Sequence, residues 1–148
     1  MNTRSKKSAL AQYKKVGTES NIAFASPHRL IQMLFEGAIE KISIARGAME
    51  RGDIPVKGKN IGWAISIIEG LRTSLDMDAG GEIANNLQAL YTYMEEKLAL
   101  ANADNDLAGL DEVAKLLKTV KSAWDQISES TPPHPNRVEP SDIVTIRT

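Results

Sequence analysis

Few residue pairs in this 148-residue chain have the types and spacing that catalysis requires. Ser26 and His28 could act as a nucleophile and its base, but a serine directly before Pro27 is more typical of a helix start. Glu95-Glu96 and Asp111-Glu112 are adjacent carboxylates, which point about 100° apart on a helix and cannot work as a paired acid and base. We interpret Ser26 as a helix cap and the carboxylates as solvated charges.

The sequence also lacks the residues that a metal or cofactor site requires. The sequence has no cysteine, which excludes disulfides, thiolate metal sites and cysteine nucleophiles. Neither His28 nor His134 belongs to a Glu-x-x-His pair, the motif that builds di-iron sites in helical bundles. No glycine-rich phosphate loop is present, and Gly80-Gly81 is interpreted as a turn between helices. We therefore expect a protein that is not an enzyme and has no cofactor and no metal site.

The body of the chain is predicted to form four helices, because it carries helical apolar spacing and no proline from position 56 to position 131. The predicted helices run from about Pro27 to Arg51, Lys57 to Met77, Gly81 to Asn102 and Asp106 to Ser128. The connections are short, so neighbouring helices must be antiparallel. The sequence thus predicts an all-α fold, an antiparallel up-down-up-down four-helix bundle over residues 26–128.

The two ends of the chain differ from this body in composition. Residues 1–26 carry a net charge of +4, whereas residues 27–128 carry 11 basic and 15 acidic side chains, a net of −4. We expect residues 1–25 to form a flexible arm attracted to the acidic body, although a basic arm is also a weak signature of nucleic-acid binding. Four of the six prolines fall in residues 129–148, which are predicted to be a disordered tail.

Targeting signals are not evident in the sequence. No apolar run approaches the roughly 20 residues of a membrane helix, and the first residues lack the apolar segment of a secretory signal. We therefore expect a cytoplasmic protein that does not insert into a membrane.

The third and fourth helices each have one apolar face, which is enough to form one side of a core. On the third helix this face comprises Ile83, Leu87, Leu90, Met94 and Ala101. On the fourth it comprises Leu110, Val113, Leu117, Val120, Trp124 and Ile127.

The first two helices carry a second apolar stripe in addition to their core face. On the first helix the second stripe comprises Leu30, Met33, Gly37, Ile44 and Ala48. On the second helix it comprises Trp63, Ile67, Gly70 and Ser74. Either these residues pack against each other and the arm, or they form a docking groove for an amphipathic helix. The residues alone leave both alternatives open.

Several ordered motifs resemble the FliS family of flagellar secretion chaperones. The most specific is the first-helix segment Ala25-Ser26-Pro27-His28-Arg29-Leu30-Ile31-Gln32-Met33-Leu34-Phe35-Glu36-Gly37-Ala38. The others are Lys59 to Leu71, Leu75-Asp76 with Gly80 to Ala84 and Leu87, and Leu90-Tyr91-Tyr93-Met94 with Leu98 and Ala101-Asn102. The resemblance covers roughly residues 10–128. It departs at Phe35, where the family often has tyrosine, and at Trp63, where a polar residue is common.

The resemblance implies a non-enzymatic bundle that binds the C-terminal helical segment of flagellin in the bacterial cytoplasm and helps to present it to the flagellar export gate. Some members of the family also contact an anti-sigma regulator. We expect the groove residues to be Leu30, Met33, Ile44, Trp63 and Ile67, covered by a displaceable cap of Tyr13 and Val16. Two other functions remain open: self-association, for example as a homodimer, and DNA binding. The net charge of the body argues against nucleic acid.

Overall fold

The computed structural model describes residues 25–127, which form four helices. These are α1 (Pro27–Arg51), α2 (Ile54–Thr73), α3 (Met77–Asp104) and α4 (Leu107–Asp125). Helix α1 packs against α2 and α4, and α3 packs against the same two helices. This arrangement confirms the predicted all-α four-helix bundle. The predicted arm, with Tyr13 and Val16, and the predicted tail lie outside the described residues.

Each helix begins at a side chain that accepts a hydrogen bond from a backbone N–H of its first turn. The Ser26 hydroxyl accepts from the N–H of Arg29 at 3.1 Å, which confirms its predicted capping role. Asp53, Asp76 and Asp106 cap the three later helices in the same way. A short acceptor at each start satisfies N–H groups that have no partner within the helix.

Two predicted helix starts were placed too late in the sequence. Helix α2 begins at Ile54 and not near Lys57, because Asp53 caps it and Pro55 is tolerated in the first turn. Helix α3 begins at Met77 and not near Gly81, because Asp76 caps a first turn. The backbone then departs from helical geometry at Gly81, whose φ of +54° is accessible to glycine. The expected turn at Gly80-Gly81 is therefore a kink inside α3.

The core contains fully buried side chains from all four helices. The largest of them are Ile31, Phe35, Ile42, Ile61, Ile67, Ile68, Leu71, Tyr91, Met94, Leu98, Leu110 and Leu117. The most extensive helix–helix interface is between α1 and α2, and the least extensive of the four neighbouring pairs is between α3 and α4. Among the described helices, none combines the length and the apolar character needed to cross a membrane.

Candidate functional site

The structure brings the second apolar stripes of α1 and α2 together. Lys41 Nζ of α1 lies 4.1 Å from the centroid of the Trp63 ring of α2. Lys41 is four positions after Gly37 and three before Ile44, so helical spacing places it on the second stripe of α1. We call this region the α1–α2 seam. It comprises Leu30, Met33, Gly37, Lys41, Ile44, Ala48, Trp63, Ile67, Gly70 and Ser74.

The predicted groove residues in this seam differ widely in exposure. Met33 is only 5% exposed and Ile67 is fully buried within the main hydrophobic core. Leu30 and Trp63 are half-buried, and Ile44 is the most accessible of the five at 39%. The burial agrees with the alternative in which the stripes are packed. Their use as a docking groove stays a prediction.

Two hydrogen-bond donors lie among the apolar side chains of the seam. Lys41 is only 4% exposed, and the one carboxylate within 4 Å of its ammonium among residues 25–127 is that of Glu40, at 3.5 Å. The indole Nε1 of Trp63 is buried and has no hydrogen-bond acceptor among the described residues. Lys41 is not among the residues predicted for the groove, because a lysine on a helix is normally solvated. The available signal was its position in line with Gly37 and Ile44.

A second apolar concavity lies between α3 and α4, and we call it the α3–α4 cleft. Its volume is about 260 Å³. No charged side chain lines it; the lining residues are Phe35, Ile83, Leu87, Tyr91, Thr119, Val120, Ala123, Trp124 and Ile127. The expectation that Ile83 is a core residue was wrong, since it is 63% exposed, and Leu87, Val120 and Ile127 are only half-buried. The limited interface between α3 and α4 accounts for this opening.

Tyr91, which lines this cleft, carries a buried hydroxyl. Its side chain is fully buried, and its hydroxyl has no hydrogen-bond partner within the described part of the chain. Burial raises the pKa of the Tyr91 phenol well above its ordinary value. The group therefore stays a neutral phenol, able to donate or accept one hydrogen bond.

Helices α1 and α4 are held together beside the cleft by aromatic and polar contacts. The rings of His28 and Trp124 stack with centroids 4.7 Å apart, and Trp124 Nε1 donates to the His28 carbonyl at 3.0 Å. Farther along, Arg46 Nε donates to Asp111 Oδ1 at 2.6 Å, and this hydrogen bond lowers the pKa of Asp111. The ring of His28 thus packs between helices, in agreement with the interpretation that Ser26 and His28 are not a catalytic pair.

The amino-acid sequence of the chain was compared with protein families and with known proteins, and both comparisons give matches over most of the chain. The family model described as "Flagellar protein FliS" matches residues 9–131. The chain is 54% identical over 120 residues to the flagellar secretion chaperone FliSB of Pseudomonas aeruginosa, covering 81% of this chain and 95% of the relative. It is 47% identical over 119 residues to flagellar secretion chaperone FliS of Vibrio cholerae, covering 80% and 88%. The corresponding protein of Salmonella typhimurium is 46% identical over 122 residues, covering 82% and 90%.

Proposed function

Because the chain belongs to the FliS family of flagellar secretion chaperones, we propose that it binds the C-terminal helical segment of flagellin in the bacterial cytoplasm. The observation that carries the proposal is the α1–α2 seam. A four-helix bundle needs one apolar face on each helix, and α1 and α2 have two. An amphipathic client helix laid along the seam would bury its own apolar face there.

The burial of the seam fits a site that opens on binding. Met33 and Ile67 are buried, so a client reaches them only if the seam opens or its cover is displaced. We propose that Leu30, Met33, Ile44, Trp63 and Ile67 then contact the client. Tyr13 and Val16 would act as the displaceable cap. The client segment would fold as it binds, which lowers the affinity gained per unit of buried area and favours later release.

The α3–α4 cleft supplies a second apolar surface for an extended client. Ile83, Leu87 and Val120 would meet an apolar side chain of the client there. A chain that contacts both surfaces gains affinity because its second contact is intramolecular. We propose that the client wraps around the bundle in this way.

In this proposal, the protein acts in export by covering the apolar stripes of flagellin. The apolar stripes that flagellin uses in its filament would be covered while it is bound to this protein, which prevents polymerisation in the cytoplasm. The complex would then be presented to the flagellar export gate, with no chemical step performed by the bundle. An anti-sigma factor that presents a similar amphipathic helix would compete for the same seam.

Filament growth and complex formation together test this function. Purified flagellin is seeded with filament fragments, with and without an equimolar amount of this protein. We expect slower growth and a complex by sedimentation, and flagellin without its C-terminal segment should form no complex. Unchanged growth with no complex would refute the proposal. If the protein sediments as a dimer and binds no flagellin, the self-association alternative holds.

A further inference from the structure

The Lys41–Trp63 contact lies in the proposed client-binding seam and presents two donors. Within the described residues the Trp63 indole N–H has no acceptor, and the Lys41 ammonium has only a long contact with Glu40. We propose that these donors recognise a carboxylate of the client, an aspartate or glutamate side chain of the bound segment. The inference rests on the proposed function, and it names the residues of the seam that select the client.

The burial of Lys41 is the first step of the argument. A charged group is rarely buried unless it is paired, because removing it from water is costly. The ammonium of Lys41 has three donors, and among the described residues the one carboxylate within 4 Å of it is that of Glu40. Its contact with Glu40 is long, at 3.5 Å, and Glu40 itself is largely exposed to solvent.

The other buried lysine of the bundle shows how such a group is normally satisfied. Lys57 is also buried, and its ammonium donates to the carbonyl of Asn102 at 2.8 Å and to Asn105 Oδ1 at 2.7 Å. These bonds fix the end of α3, so Lys57 has a structural role. Lys41 has no equivalent acceptors, and a structural role of that kind does not explain its burial.

Trp63 adds a second donor at the same place. Its Nε1 is buried without an acceptor, although an indole N–H usually finds one when it is buried. The Lys41 ammonium lies over the same ring, at 4.1 Å from its centroid. A carboxylate has two oxygens, so once the seam has opened a single client side chain can accept one hydrogen bond from each donor. An apolar client residue would leave the indole N–H without an acceptor and would offer the ammonium no counter-charge.

Calorimetric titration with a peptide of the C-terminal segment of flagellin from the same organism tests the inference on the full chain. We expect Lys41→Met to weaken binding about tenfold and Trp63→Phe to weaken it severalfold, as is usual for hydrogen bonds to charged groups. Lys59→Met is the matched control, since Lys59 is an exposed lysine of α2, and it should change affinity less than about twofold. Thermal unfolding verifies that each variant is folded, and Lys41→Gln replaces Lys41→Met if the latter is not.

Changes in the peptide identify the acceptor. Each aspartate is changed to asparagine and each glutamate to glutamine, one at a time. We expect one change to weaken binding by the unmodified protein about tenfold and to have little further effect on Lys41→Met, because both remove the same contact. The inference would be overturned if the folded Lys41 variants bound the peptide as tightly as the unmodified protein. It would also be overturned if every acidic substitution in the peptide weakened binding by Lys41→Met as much as it weakens binding by the unmodified protein. If the unmodified protein binds no peptide, the proposed function itself fails.

Discussion

At the scale of single residues, Gly109 shows how the lack of a side chain determines where a helix begins. It lies in the first turn of α4, where its N–H donates to the capping carboxylate of Asp106 at 3.1 Å. A Cβ at this position would lie 2.9 Å from Asp106 Oδ2 and 3.3 Å from the Cβ of Ala101. The cap and the close approach of α4 to Ala101 of α3 therefore both depend on glycine.

We predict that Gly109→Ala lowers the free energy of unfolding by about 1 kcal/mol, because loss of the cap outweighs the better helix propensity of alanine. Gly62→Ala is the control, since Gly62 is exposed in α2 and a Cβ there would meet nothing within 4 Å. It should stabilise the protein by up to about 1 kcal/mol. Urea unfolding measures both changes. Equal stabilisation by the two substitutions would contradict this account of the α4 cap.

The buried hydroxyl of Tyr91 leads to a second residue-scale prediction. Because this hydroxyl has no partner among the described residues, removing it loses no hydrogen bond and relieves its desolvation. Tyr91→Phe should leave the free energy of unfolding unchanged or raise it by up to about 1 kcal/mol. Tyr93→Phe is the comparison, since Tyr93 donates to Glu112 at 2.6 Å and gains nothing from the change. A clear loss of stability in Tyr91→Phe would show that the hydroxyl is bonded in solution.

At the scale of helices, α2 and α3 are tied by a partly buried ion pair whose stability effect depends on pH. Arg72 Nε donates to Glu95 Oε2 at 3.0 Å. Burial raises the pKa of Glu95 above its ordinary value, and the hydrogen bond from Arg72 opposes that rise. The native state therefore binds more protons than the unfolded state between the ordinary and the raised pKa. Stability contributed by Glu95 is present at low pH and is lost as pH rises through this window.

We predict that Arg72→Met raises the pKa of Glu95 further and makes the fall in stability with rising pH steeper. Carboxyl chemical shifts followed by NMR give the pKa, and urea unfolding at a series of pH values gives the stability. Adding Glu95→Gln to Arg72→Met should remove the extra pH dependence. An unchanged or lower pKa of Glu95 in Arg72→Met would mean that the pair does not form.

The contact between α1 and α4 gives a prediction for the other side of the bundle. Trp124→Phe keeps a ring next to His28 and removes the hydrogen bond from Nε1 to the His28 carbonyl. It should cost about 1 kcal/mol of unfolding free energy, whereas Trp124→Ala should cost about 3–5 kcal/mol because the buried ring is also lost. Chemical denaturation compares the two. Similar losses would show that the ring packing contributes little.

The helices also show which parts of this fold the sequence could predict and why it could not predict the rest. Leu110, Val113 and Leu117 were placed correctly in the core, because a clean helical period identifies the buried face of α4. Ile83 has the same kind of spacing but is exposed, because it follows the kink at Gly81 and faces the least extensive of the four helix–helix interfaces. Periodicity identifies the apolar face of a helix and not the extent to which a neighbour covers it.

The candidate site was partly predictable, because helical spacing identifies apolar faces but not what covers them. The second stripes were found from spacing, and the structure brings them together through Lys41 and Trp63. The burial of Lys41 could not be found in this way, because it depends on a ring from another helix. Ile44 and Ile67 both belong to second stripes, but Ile44 is exposed whereas Ile67 is part of the core. Spacing along one helix does not distinguish them, because burial depends on the neighbouring helices.

At the scale of the whole molecule, the bundle has two apolar surfaces on an acidic body. The α1–α2 seam is largely buried and the α3–α4 cleft is partly open. In the function proposed above, different parts of an extended client would occupy the two surfaces. An extended contact of this kind distributes affinity over many weak interactions and suits a client that must later be released. We propose that the client helix binds at the seam.

Titration of the C-terminal segment of flagellin into Ile44→Asp and Leu100→Asp tests that claim most directly. Ile44 is the accessible member of the predicted groove, whereas Ile67→Asp would place a carboxylate in the core and unfold the bundle. Leu100 is 60% exposed on α3 and belongs to neither surface, so it controls for the added charge. We predict affinity reduced about tenfold or more for Ile44→Asp, because a charge would be buried under the client helix, and no change for Leu100→Asp. Equal affinity of the two folded variants would contradict binding at the seam.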